Sequence, residues 1–352
     1  TARVGLTGPE VAVLMSYAKI WVFDELKDSS LPDDVAFADE LSAYFPTPLR
    51  KKYAKEINNH RLKREIIATL ATNSIINRVG GTFISRIVER TGMPVGDVVA
   101  AYVIARRVLD MRAVWERIDV LDNKIPASVQ TNMRLDTNKL LEWVTLWFLR
   151  NGHRPLDIGS HVDEFADGFK ELNECLGTAL PKRYQRDVIQ RGQPYVKAGA
   201  PKDLARSIAD MVNLYSGCDI VRLAATNKMT VTDTAKLYYA VGTRFRLGTL
   251  RAAADGLEAQ THWEKLAVAA LGEEIYGHQL ALTSQVIDSA GRGKKAVDAS
   301  AAIDRWMESN RTAVERTEQL IAELLATEIS DLAMIAVASR QLRSLAEMPP
   351  SK

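Results

Sequence analysis

The side chains able to do chemistry fall into a few groups, and their spacing decides between uses. Five histidines occur: His60, His153, His161, His262 and His278. A carboxylate-bridged di-iron bundle needs two Glu-x-x-His pairs and two further glutamates on facing helices. His161 and Glu164 carry that pair in reverse order, and Glu274 to His278 is one residue too long. His278 shares a helical face with Ile275 and Leu282, so it reads as a packed, hydrogen-bonded core histidine. Cys175 and Cys218 have no neighbouring histidine and no Cys-x-x-Cys partner; both read as small core residues. A Gly-x-Ser-x-Gly elbow, which would expose a nucleophilic serine, is absent.

Anion-binding patterns are equally sparse. Neither the Gly-x-Gly-x-x-Gly dinucleotide fingerprint nor the Gly-x-x-x-x-Gly-Lys-Ser/Thr phosphate loop occurs. The nearest segment is Gly291-Arg292-Gly293-Lys294-Lys295, whose glycines and cations could hold an anion at a helix N-terminus. No strand precedes it, so it reads as a solvated hairpin turn. Arg50, Lys51, Lys52, Lys55, Arg61, Lys63 and Arg64 crowd residues 50–64, as a phosphate-binding face would. Tyr53 is the one aromatic there, and Glu56 and Glu65 interrupt the charge, which favours a solvated face or a salt-bridged subunit surface. Leu62, Ile66 and Leu70 recur every four residues, and further helical steps of three and four reach Asn73 and Asn77. Both amides are therefore expected in the core and hydrogen-bonded, since an unmet buried amide costs about 1–3 kcal/mol. No residue receives a catalytic, cofactor-binding or metal-ligating role.

The elements that position these groups are helical. Runs of alternating β-branched and polar residues are missing. Thr7-x-x-Glu10 is a capping box with Pro9 in the first turn, opening an apolar segment that runs to about Lys27. A helix from about Leu49, or restarting near His60, is predicted to reach Asn77 and stop at Gly80-Gly81. Another covers Asp97 to about Leu121. The next, after Pro126, carries Val129, Met133, Leu140, Val144 and Trp147 with a period near 3.6. Asn151-Gly152-His153-Arg154-Pro155 joins a C-cap signal to a proline and suggests subdomains 1–152 and 153–352.

Residues 202 to 348 contain no proline, which long helices require because an interior proline costs about 3 kcal/mol. One helix is predicted from about His262 to Ser289, with Trp263, Ala267, Leu271, Ile275 and Leu282 on one face. A second spans about Lys294 to Ala326, or on to Leu345, with Ile303, Met307, Asn310, Val314, Thr317, Ile321 and Leu324 on its seam. Joined through Ala290-Gly291-Arg292-Gly293, they would form an antiparallel hairpin. The expected fold is all-α: a multi-helical array or bundle with a long antiparallel helical hairpin near the C-terminus. No fixed-period repeat marks a solenoid.

Composition agrees. In 352 residues, 47% are apolar and 26% charged, ample for a large core without disulfides or metals. A net charge of +2 steers the molecule toward neither nucleic acid nor a membrane surface. Two cysteines fit a reducing cytosol, and no apolar run approaches the ~20 residues of a membrane span. A first residue of Thr1, with no signal peptide ahead of Thr7-Gly8-Pro9-Glu10, suggests a fragment or processed product of a longer chain.

Several segments resemble the large bacterial NAD-specific glutamate dehydrogenases. Gly5-Leu6-Thr7-Gly8-Pro9-Glu10, followed by Ser16-Tyr17-Ala18-Lys19, is similar to a family segment that commonly has Arg where Gly8 stands. Tyr44-Phe45-Pro46-Thr47-Pro48-Leu49-Arg50 and the helix from His60-Arg61-Leu62 through Asn73, Asn77-Arg78 and Thr82-Phe83 resemble others. So do Leu121-Asp122-Asn123-Lys124-Ile125-Pro126-Ala127, with Gln130, and, more loosely, Tyr238-Tyr239 with Gly242-Thr243-Arg244-Phe245 and His262-Trp263-Glu264-Lys265. The resemblance implies a parent enzyme that oxidatively deaminates L-glutamate to 2-oxoglutarate and ammonium with NAD. The family's active lysine and Rossmann domain lie N-terminal to this stretch, so no family catalytic residue maps onto it and NAD belongs to the parent.

The implied role is that of a non-catalytic C-terminal helical domain giving subunit or domain contacts, stability or regulation. Its expected partners are the catalytic domain of the same polypeptide and further copies in a cytoplasmic homo-oligomer, with no membrane and no nucleic acid. Trp21, Trp115 and Trp306 are candidate interface anchors. The alternative is a freestanding helical scaffold or binding module, using the basic stretch 50–64 for nucleic acid.

Overall fold

A computed structural model describes residues 5–290, 298–327 and 331–348. Every regular element among them is helical, with no strand. Described residues up to 167, together with 195–215, form one compact unit; residues 168–194 and the described residues from 216 onward form another.

The first unit holds α1 (Gly8–Asp28), α2 (Ala38–Tyr44), α3 (Thr47–Lys52), α4 (Ala54–Asn58), α5 (Lys63–Val79), α6 (Phe83–Thr91), α7 (Val95–Val108), α8 (Met111–Asp119) and α9 (Ala127–Asn151). The start of α10 (Ile158–Ala179), the last turn of α11 (Lys182–Lys197) and α12 (Lys202–Asp210) complete it. Local chemistry sets these bounds. Glu10 Oε2 accepts from the Thr7 backbone N–H at 2.8 Å and from its hydroxyl at 2.7 Å, closing the start of α1. Pro94, Pro126 and Pro201 sit immediately before α7, α9 and α12, where a missing N–H is harmless. Gly80, at φ +97°, ends α5 in a conformation that other residues rarely adopt.

Helix α7 is the axis of this unit. Val98, Val99, Tyr102 and Ile104 bury different sides of it, against α1, α6, α8 and α9. The predicted stripe of α9 is buried at Met133, Leu140, Val144 and Trp147. The single helix considered from Leu49 is instead three pieces, α3, α4 and α5, and the last begins at Lys63. His60 Nδ1 accepts the Leu62 N–H at 3.1 Å, turning the chain into that helix.

The second unit contains α13 (Gly217–Asn227), α14 (Val231–Arg244), α15 (Leu247–Asp255), α16 (His262–Ala290), α17 (Ala299–Ser309), α18 (Arg311–Ala326) and α19 (Leu332–Ala346). Its core gathers around α16, where Ile275, Leu282 and Val286 meet α14, α15, α17 and α19. The α16 face points into the core only from Leu271 onward; Trp263 is largely exposed. The second long helix is broken. Asn310 leaves helical geometry at φ −121°, its Nδ2 donating to Trp306 O at 2.8 Å, and separates α17 from α18. Asp331 caps α19 separately by accepting the Met334 N–H at 2.8 Å. The connection through Gly291-Arg292-Gly293 and the cations Lys294 and Lys295 lie outside the described residues.

Candidate functional site

A partly open, polar cleft of the first unit lies between α2, α5, α7 and α8 and has a volume of about 650 Å³. Glu40 of α2 organises its floor. Arg106 Nη2 donates to Glu40 Oε1 at 2.9 Å, Arg112 Nη2 to the same oxygen at 3.0 Å, and Arg107 Nη2 to Oε2 at 3.1 Å. Burial pushes the Glu40 carboxyl up, but Arg107 and Arg106 outweigh it and hold the group below the usual carboxylate range. Arg106 is 5% exposed; burial, and then the Arg112 charge, lower its pKa. Its Nε and the phenol oxygen of fully buried Tyr102 have no hydrogen-bond partner among the described residues. Burial raises the Tyr102 pKa, offset in part by the nearby Ser74 hydroxyl and Arg106. The sequence signal for this floor is the Arg106-Arg107 pair in the last turn of the largely apolar α7.

Asn73 and Asn77 line this cleft from α5. Their expected core position is wrong: Asn73 is half-buried, Asn77 is exposed, and neither amide has a hydrogen-bond partner among the described residues. The buried row of α5 is Ile67, Ala71 and Ile75, and Leu62 is exposed ahead of the helix. Steps of four drift about 40° per step on a 3.6-residue helix, and the sequence offered two competing rows.

The other sequence candidates scatter. His278 is buried and hydrogen-bonded as expected, its Nε2 3.0 Å from Ser339 Oγ. His161 is buried, with Nδ1 2.7 Å from Asp157 O. No group of three or more His, Cys, Asp or Glu side chains among the described residues could hold a metal ion. Cys218 is buried; Cys175 is half-buried, and burial pushes its thiol up. In the basic stretch, Arg50 donates to Phe45 O and Ala43 O. Arg64 pairs with Asp33 and donates to Lys27 O at 2.7 Å and Ser29 O at 2.6 Å. Two of its seven cations therefore close helix ends.

A second surface lies on α1. Val13, Leu14, Tyr17 and Ile20 are each more than half exposed, and Trp21 is 36% exposed. At 100° per residue these five fall within one stripe about 120° wide. The opposite face, with Val22 and Leu26, is buried where α1 packs on α5 and α7. Monomeric proteins seldom leave such a contiguous apolar stripe bare. Of the three candidate tryptophan anchors, Trp21 lies here. Trp115 and Trp306 are core residues, the first donating to Thr137 Oγ1 at 3.3 Å and the second edge-on to Phe245.

No helix among the described residues is long and apolar enough to cross a membrane. Comparison with known proteins accounts for nearly the whole chain. NAD-specific glutamate dehydrogenases of Halomonas elongata and Pseudomonas aeruginosa are each 34% identical to it, over 97% and 99% of its length. That of Mycobacterium tuberculosis is 30% identical over 98%. The chain spans 21% of the length of each of these relatives. The family described as "Glutamate dehydrogenase, C-terminal" matches residues 3–344, and the chain belongs to that family.

Proposed function

We propose that this chain is the C-terminal helical domain of an NAD-specific glutamate dehydrogenase and serves that enzyme through contacts, not chemistry. The parent reaction is the oxidation of L-glutamate by NAD and water to 2-oxoglutarate, ammonium and NADH. On this reading the catalytic groups and the NAD site belong to the remainder of a cytoplasmic, homo-oligomeric polypeptide. The observation that carries the reading is the bare stripe of α1 around Tyr17. The larger share of each relative's length lies outside the matched stretch. A partner on the same polypeptide is present at high effective concentration, so a modest apolar face suffices to hold it.

The nucleic-acid alternative is weakened at Arg50 and Arg64 of the basic stretch, which are spent on helix-end carbonyls. The test is the double change Tyr17→Asp and Trp21→Asp in the full-length enzyme. The expected result is a lower melting temperature and weaker assembly in ultracentrifugation. An enzyme with unchanged melting and unchanged mass would overturn the proposal.

A further inference from the structure

The cleft around Glu40 is separate from the α1 stripe, and its chemistry is that of a ligand site. We propose that it binds a small polyhydroxy monocarboxylate, the carboxylate seated at Arg112 and Arg106 and the hydroxyls meeting Asn73 and Asn77. A volume of about 650 Å³ falls within the usual size of small-molecule pockets. Three guanidinium groups meet the carboxylate of Glu40, and two of them, Arg106 and Arg112, line the cleft. Arg112, 57% exposed, donates to Glu40 through Nη2, and its side chain lines the cleft. Arg106 and Tyr102, both more than nine-tenths buried and both lining the cleft, keep a polar atom without a protein partner. Buried polar atoms in native proteins are nearly always satisfied, and an acceptor seated on this floor would supply what is missing.

One wall and the rim define the rest of the ligand. Asn73 and Asn77 stand one helical turn apart, two amides offering donors and acceptors to hydroxyl groups. Asp39 and Glu116 also line the cleft and form no ion pair among the described residues. Their charge opposes a polyanion, so one negative group fits where a polyphosphate or a nucleic acid does not.

Gluconate and lactate are suitable probes, with pyrophosphate and chloride as comparisons. The intact chain is titrated with each at constant ionic strength. Binding is read by saturation-transfer NMR and by the shift in melting temperature. Saturable gluconate binding is expected, tighter than lactate and tighter than pyrophosphate. Arg112→Gln and Asn77→Leu change exposed side chains and should each weaken it about ten-fold, the size of one lost charge-assisted or paired hydrogen bond. Circular dichroism confirms that both variants keep their fold. Absence of saturable gluconate binding, or binding indifferent to both changes, would reduce the cluster to a structural ion network. Pyrophosphate binding more tightly than gluconate would overturn the assignment of a singly charged ligand.

Discussion

His278 Nε2 lies 3.0 Å from Ser339 Oγ, and that hydroxyl donates to Glu274 Oε2, also at 3.0 Å. Arg343 Nη2 holds the same glutamate at 3.1 Å. Serine, histidine and glutamate thus meet in the core, but in the wrong order for a nucleophile. In a hydrolytic triad the histidine takes the serine proton and the carboxylate orients the histidine. Here the serine proton is committed to the carboxylate and the imidazole donates to the serine. Ser339 is also 2% exposed, out of a substrate's reach. The group ties α16 to α19.

This arrangement makes stability depend on pH. Burial lowers the His278 pKa below 6.5, with Glu274 opposing and Arg343 adding to the shift. Below that value the unfolded chain takes up a proton that the folded chain refuses, so stability is full above pH 6.5 and falls as pH drops toward the folded pKa. Urea unfolding at about pH 7.5 and about pH 5.5 measures the loss, which should shrink in His278→Asn. An equal loss in both proteins would mean that His278 does not contribute.

Glu40 carries the opposite sign. Its carboxyl sits below the ordinary glutamate value of 4.5, so its contribution is present above that pH and lost as pH falls through the folded value. Glu40→Gln leaves buried Arg106 facing two further arginines with no anion, and should cost about 3–5 kcal/mol in denaturant unfolding. The apolar double variant Glu40→Leu with Arg106→Met should be distinctly less damaged, because no charge is left buried.

Gly242 is required by a close approach. A Cβ there would lie 2.5 Å from Gln279 Nε2. Gln279 cannot withdraw freely: Nε2 donates to Tyr238 O at 2.8 Å and Oε1 accepts from Arg251 Nη1 at 2.8 Å. Gly242→Ala should destabilise by about 1–3 kcal/mol through overpacking. Gly272 in α16 has nothing within 4 Å of its Cβ position. Gly272→Ala should stabilise by up to about 1 kcal/mol from helix propensity alone. Paired thermal melts distinguish the two.

The faces of α1 should respond differently to charge. Leu14→Glu and Tyr17→Glu on the bare stripe should change the chain's own stability by less than about 0.5 kcal/mol. Val22→Asp, on the fully buried face, should unfold much of the unit, because an unpaired charge has no partner there. Circular dichroism of the three variants at one temperature checks the contrast.

Helix content was legible in the sequence because caps and prolines act locally: the Thr7–Glu10 box and the α9 stripe both appear where local chemistry put them. Phase was less legible. In α5 the row through Ile66 and Leu70 competed with the row through Ile67 and Ala71, and only tertiary packing chose between them. Asn310 broke a helix whose apolar seam continues across the break through Val314 and Ile321. Beyond the Arg106-Arg107 pair the cleft left no local mark in the sequence, since Glu40, Asn77, Arg106 and Arg112 come from four helices whose meeting is a tertiary event.

The central claim, contacts without chemistry, is tested most directly by removing this chain from the parent and adding it back. Three samples are compared for glutamate-dependent NADH production and for mass: the chain alone, the parent lacking it, and the two mixed. The account predicts no turnover by the chain alone, impaired assembly or activity in the truncated parent, and recovery on mixing that is lost with Tyr17→Asp and Trp21→Asp. Turnover by the chain alone, or a truncated parent indistinguishable from the intact enzyme, would contradict it.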